Sequence, residues 1–259
     1  ATTAMRQRSN GMTWKNSTIL TVTALVLAEP LLAQQNALEN AQVVALDDWR
    51  YDDLYTNGVS ARDLIDREVY GQTGDEIGDV EDILIGSDGQ VRSIVAEVGG
   101  FWDIGDTHVS IPLNRVDMSN GQIVVPITED TVGDYGFWND EPIQNGAVDS
   151  DIVEGVDDEP IPRAWRASEL IGDYARLQND DGYNDYGYVS DLILRDNQVA
   201  AVVVQPRSEY GPGYRAYPYY GYDSGWNAGS PNYDMPYTED DVRDAERLDY
   251  NRFDNSLQR

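Results

Sequence analysis

Apolar and polar residues alternate with period two in several short runs of the chain, and the runs come in pairs. "EIGDVEDILIG" (76–86) and "VRSIVAEVG" (91–99) are rich in β-branched residues and are separated by "SDGQ", whose glycine suits the positive φ of a tight turn. The pair predicts a β-hairpin. "HVSIPL" (108–113) and "QIVVPI" (122–127) flank "NRVDMSNG", which ends in an Asn-Gly turn signal. Short strands joined by such turns predict a small closed sheet, because closure removes exposed strand edges. Helical signals are weaker. Thr128 and Thr238 each precede acidic residues and suit the first turn of a helix. The second of these predicted helices is the longer, "TEDDVRDAERLDYNRF" (238–253), with Val242, Ala245 and Leu248 spaced for one buried face.

The pattern then repeats. "IGDVEDILIGSDGQVRSIVAEV" (77–98) superimposes on "YGYVSDLILRDNQVAAVVVQP" (186–206), matching Gly78 with Gly187, Val80 with Val189, Asp82 with Asp191 and Val91 with Val199. "PITEDTV" (126–132) meets "PYTEDDV" (236–242), and "ARDLI" (61–65) meets "ASELI" (167–171). Three anchors in one order predict a duplicated β-rich domain, and 259 residues with 41% apolar content are enough for two small cores. The expected organisation is an over-extended start plus signal peptide (1–33), a lead segment (34–58), a first domain (59–138), an acidic linker (139–162) and a second domain (163–259). The linker carries eight acids and no base, so the two domains are expected to separate and to fold independently. The lead segment has a short amphipathic pattern that fits either a helix on the first domain or a mobile strap.

Composition narrows the chemistry. Absence of cysteine excludes disulfides and thiolate metal sites, and a single histidine excludes paired-imidazole sites. Eighteen basic against 47 acidic residues give a net charge of -29, a field that repels phosphate backbones, so nucleic acid is not an expected partner. From Met12, one cation (Lys15) precedes a twelve-residue apolar run, Ser17 to Ala28, which predicts a secretory signal cleaved near Ala33 and a periplasmic or secreted protein. Membrane attachment is expected only if that run is retained. "QNDDGYND" (178–185) does not reproduce the spacing of a calcium loop, so calcium is a minor reading beside a solvated acidic turn. Carboxylate pairs for glycoside hydrolysis would need a cleft that two filled barrels do not provide.

The order of parts in "GDVEDILIGSDGQVRSIVAEVGGFWDIGDTHVSIPLNRV" resembles the PRC-barrel domain, named after the cytoplasmic domain of the photosynthetic reaction-centre H subunit and shared with a ribosome maturation factor. The likeness covers about residues 60 to 135. It implies a mainly β chain of two tandem PRC-type barrels, each ending in a short helix, used for docking onto larger assemblies, with no catalytic residue and no cofactor to carry over. The second copy departs from the family where "VGGFWDIG" is replaced by "QPRSEYGPGYRAYPYYGYDSGW".

In the first copy Gly99 and Gly100 are expected to bend the backbone, Phe101 and Trp102 to cover the barrel end, and Gly105 to close the corner. His108, with no nucleophile motif beside it, is expected to be structural. In the second copy Tyr210, Tyr214, Tyr217, Tyr219, Tyr220, Tyr222 and Trp226 form a candidate partner-contact surface, since tyrosine pairs a large apolar face with a polar tip. The function expected is a non-enzymatic protein-interaction or scaffold module of the bacterial envelope that binds an unidentified envelope protein or membrane complex. The alternative is an H-subunit-like component of a photosynthetic or other membrane complex, with residues 17–33 retained as an anchor.

Overall fold

The computed structural model describes residues 43–99, 107–118, 121–128, 131–132, 135–138, 164–222, 224–227 and 229–253. Helix α1 (Asp52–Asn57) leads into strand β1 (Val59–Ser60) and the one-turn α2 (Ala61–Leu64), where the Ser60 hydroxyl accepts the Asp63 amide as an N-cap. Strands β2 (Glu68–Tyr70), β3 (Glu76–Gly86), β4 (Val91–Val98), β5 (Thr107–Pro112), β6 (Ile123–Val124) and β7 (Gly136–Trp138) follow. They form a sheet in the order β6-β2-β3-β4-β5-β7, with only the β2/β6 pair parallel. After the linker come β8 (Ala164–Arg166), α3 (Ala167–Leu170), β9 (Tyr174–Asn179), β10 (Gly182–Arg195), β11 (Gln198–Pro206), β12 (Arg215–Pro218), β13 (Asn232–Met235) and α4 (Glu239–Val242). The second sheet runs β12-β11-β10-β9-β13, again with its outer pair, β9/β13, parallel. The chain is thus mainly β, as expected.

The two sheets correspond residue by residue through their registers. Ile83 faces Ile94 across β3/β4 as Leu192 faces Val202 across β10/β11, and Val69 faces Ile123 as Ala175 faces Tyr233. Each long strand carries bulges at the same places, Val80/Asp82 and Leu84/Ile85 in β3, Val189/Asp191 and Ile193/Leu194 in β10. Bulges bend a long strand, so one strand can serve two neighbours along one edge. Gly78 and Gly187 are alike for a steric reason. A Cβ would lie 1.8 Å from the Glu97 carbonyl oxygen at the first and 2.2 Å from that of Gln205 at the second.

What the linker's composition did not reveal is that the halves exchange their first strands. β1 pairs with β10 of the other half, and β8 pairs with β3. The two long hairpins also meet tip to tip, where the Val91 amide donates to Asn197 O (2.8 Å) and the Val199 amide to Gly89 O (2.9 Å). One continuous buried cluster therefore runs from Ala61 to Val242 through both sheets. Each sheet is completed by the other half's strand, an arrangement the expectation of independently folding halves did not include.

Two further expectations are corrected. The described part of the lead segment, residues 43–58, lies on the second sheet. Tyr51, Leu54 and Tyr55 are buried against Ile193, Ala201, Val203 and Ala216, and Trp49 Nε1 donates to Ala216 O at 2.9 Å. The long C-terminal helix is only the single turn α4, held by a capping box between Thr238 and Asp241. Beyond it the chain straightens so that the Leu248 amide reaches Tyr214 O at 2.8 Å.

Candidate functional site

The seam between the halves is built on two equivalent carboxylates. Asp82, 4% exposed, accepts the amide of Ile83 (2.7 Å) and, from the other half, the amide (3.2 Å) and hydroxyl of Ser168 in α3. Asp191, fully buried, accepts the amide of Leu192 (2.7 Å) and, from the other half, the Arg62 amide in α2 (3.1 Å) and the Ser60 hydroxyl (2.6 Å), with the Tyr250 hydroxyl as a fourth donor (3.0 Å). Each carboxylate thus satisfies free amides at the start of a helix donated by the opposite half. Burial pushes both carboxyls above the usual carboxylate range, and the hydrogen bonds hold them down.

The same symmetry exposes a difference. Trp165 of β8 stands opposite Ile85 in the register, and Val59 of β1 stands opposite Leu194, the equivalent place. One residue beyond the ends of the β4/β5 and β11/β12 registers, at Pro112 and Pro218, Tyr219 corresponds to Leu113. On the Trp165 side aromatic rings gather. The indole is 1% exposed and stacks on Tyr222 (centroids 4.0 Å apart, 18° between planes), and Trp226 meets it edge-on at 5.8 Å. The Tyr219 ring lies 3.0 Å from where a Cβ on Gly89 would stand, so glycine is required there for contact as well as for its φ of 76°. On the Val59 side a cavity of about 110 Å³ remains, walled by aliphatic side chains of both halves and opening past Asn57, Asp196 and Asn197. A wider depression of about 320 Å³ lies on the other flank of Arg195 and Asp196 and mixes charges of both signs.

The expected tyrosine surface is corrected by these contacts. Tyr217, Tyr220 and Trp226 are 0%, 6% and 1% exposed. Tyr217 OH is 2.6 Å from Tyr186 OH, Tyr220 OH is 2.7 Å from Tyr237 OH, and Trp226 Nε1 donates to Asp173 (3.2 Å). Tyr210, Tyr214, Tyr219 and Tyr222 are half-buried, the first donating to Glu239 at 2.8 Å and Tyr214 packing edge-on to Tyr250. The stretch fills the second half's core, because its longer β12-β13 connection folds inward. Among the described residues the exposed aromatics are instead Tyr174 and Tyr188, register partners on β9 and β10 with ring centroids 4.9 Å apart. Alternation would place Tyr188 on the same face as buried Tyr186; the bulge between Asp185 and Gly187 breaks that phase, so the sequence pattern alone conceals the pair.

Of the expected corner, Gly100, Phe101, Trp102 and Gly105 lie outside the described residues, as do residues 1–42. Gly99, at the end of the described segment, is not among the described glycines with positive φ, which fall nearby at Gly78 and Gly89. His108 sits in β5 with Nε2 3.3 Å from Glu81 and 3.8 Å from Glu97, a side-chain contact on the outer face of three adjacent strands. Among the described residues no group of three His, Asp or Glu side chains is arranged to hold a metal ion, and no helix is long and apolar enough to cross a membrane.

Two sheets stitched by exchanged strands define a mainly β protein whose distinctive feature is the seam between its halves. Residues 57–132 match the model of the PRC-barrel domain. A protein of Deinococcus radiodurans bearing the name "Uncharacterized protein" is similar to this chain, 28% identical over 117 residues. The match covers 44% of this chain and 42% of that protein, so the chain spans less than half of its relative's length.

Proposed function

We propose that the chain is an exported, non-enzymatic protein of two tandem PRC-barrel domains, residues 59–138 and 163–259, acting as an interaction or scaffold module of the bacterial envelope. The observation that carries the reading is how the buried polar groups are used. Asp82 and Asp191 hold the seam, and Asp234, 3% exposed, receives Arg176 through two bonds of 2.6 and 2.9 Å across β9/β13. These carboxylates are engaged in holding strands and helices together rather than gathered in a cleft around a reacting group. The matching registers and bulges support a second PRC-barrel, and Lys15 ahead of the apolar run supports export.

The test is recovery from the native envelope after cross-linking, with intact-mass analysis of the protein itself. The reading predicts a soluble chain beginning near Gln34 and joined to a discrete partner. A chain that retains residues 17–33 in the membrane fraction supports the H-subunit-like alternative, and a protein cross-linked to nothing contradicts the interaction role.

A further inference from the structure

The pseudo-symmetry of the seam makes one side a template for the other. On the filled side, the register equivalents of the cavity's aliphatic positions are Ile85, Leu192 and Val202, and the equivalents of Val59 and Leu113 are the aromatic residues Trp165, with Tyr222 stacked on it, and Tyr219. On the opposite side, the equivalent wall is Leu194, Ile83 and Ile94, and the equivalent positions carry only Val59 and Leu113. The cavity left there, about 110 Å³, approaches the ~150 Å³ of an apolar cavity that takes benzene, and it opens at the surface instead of being sealed. An apolar hollow of this size gains nothing from ordered water, because its walls offer water few polar partners.

We propose that this cavity is a binding site for one aromatic side chain, Trp, Tyr or Phe, presented by a protein partner. The occupant is argued from the other half, where the two equivalent positions carry aromatic side chains of the chain itself. The polar mouth suits a protein source: Asn57 and Asn197 stand beside the opening and carry amide groups able to pair with the backbone that flanks an inserted ring. Arg195 and Asp196 at the same rim leave charges of both signs there, which suits a polar main chain on either side of the ring. This inference rests on the interaction role proposed above and gives that role a location.

The test uses the full-length protein with labelled methyl groups and N-acetyl-tryptophanamide as the probe, N-acetyl-alaninamide serving as control. The expected result is saturable shifts at Ile83, Ile94, Leu113 and Met118 with the tryptophan probe and none with alanine. Val59→Trp installs the residue that occupies the equivalent place and is expected to weaken the probe at least tenfold without lowering the melting temperature. Leu113→Tyr does the same from the opposite wall and serves if the first variant fails to fold. No saturable shift at the solubility limit of the probe, or equal binding by a folded filled variant, overturns the site. Capture from the native envelope separates the two readings. If wild type and Val59→Trp recover the same partner equally, the site fails and the interaction role stands; if wild type recovers none, the role fails and the titration alone decides the site.

Discussion

The two sides of the seam carry the same backbone and different fillings, and the difference separates what the fold needs from what it leaves available. Where β8 enters the first sheet, Trp165 closes the space together with residues from the long β12-β13 connection. Where β1 enters the second sheet, Val59 and a connection from β5 to β6 with Leu113 and Met118 leave it open. Burial of a large aromatic gives contact area and a fixed geometry. The open side lacks that stabilisation and in exchange presents a shaped apolar surface.

The largest expected effect of breaking this comparison is at Trp165. Trp165→Ala should cost about 4 kcal/mol, the range for truncating a buried aromatic, whereas Val59→Ala should cost about 1 kcal/mol, since a half-buried valine beside an existing hollow leaves little new cavity. Urea unfolding of the two variants measures the contrast directly, and equal losses would dissolve it.

Next come the paired carboxylates. Asp191→Ala removes an acceptor serving four donors, and Asp82→Ala one serving three, so the losses should be about 3 and about 2 kcal/mol, with buried hydroxyl and amide groups stranded in both. The order of the two midpoints in denaturant tests the asymmetry.

A smaller effect distinguishes the halves by pH. Asp173 is pushed up to about 7 by burial, with the Trp226 indole opposing the shift and nearby Glu169 adding to it, whereas the equivalent position in the first half holds Arg67 and no carboxyl. A carboxyl with a folded pKa above its unfolded value near 3.9 binds protons more readily when folded. Its contribution is therefore complete below the unfolded pKa and is lost as pH rises through about 7. Stability should fall from pH 5 to pH 8, and Asp173→Asn should flatten that slope; an unchanged slope would show that other acids set it. Smallest is the cap of α4, where Thr238→Ala should cost about 1 kcal/mol in a thermal melt, through loss of the reciprocal bonds with Asp241.

The repeat was readable because it has steric and electrostatic causes that act on single residues. Gly78 and Gly187 recur because a carbonyl passes where a Cβ would be, and Asp82 and Asp191 because each collects amides at a helix start. Strands with clear alternation, β3, β4, β10 and β11, were equally legible. The strand exchange was not, since pairing partners depend on which edge is nearest in space, and two or three residues such as Val59–Ser60 carry no pattern of their own. The tyrosine-rich stretch misled for a related reason. Hydrogen-bonded tyrosines suit a core as well as they suit a contact surface, and only the length and path of the connection decide between them. The open cavity lay beyond reach altogether, because it is a difference between two sides that must first be superimposed.

The exchanged strands are expected to make the two sheets one cooperative unit. Native-state hydrogen exchange of the intact protein tests it most directly, comparing wild type with Asp191→Ala. Cooperative coupling predicts that amides in β3 and β4 of the first half lose protection together with those in β10 and β11, by a similar factor. Faster exchange confined to β10 and β11, with β3 and β4 unchanged, would contradict the account.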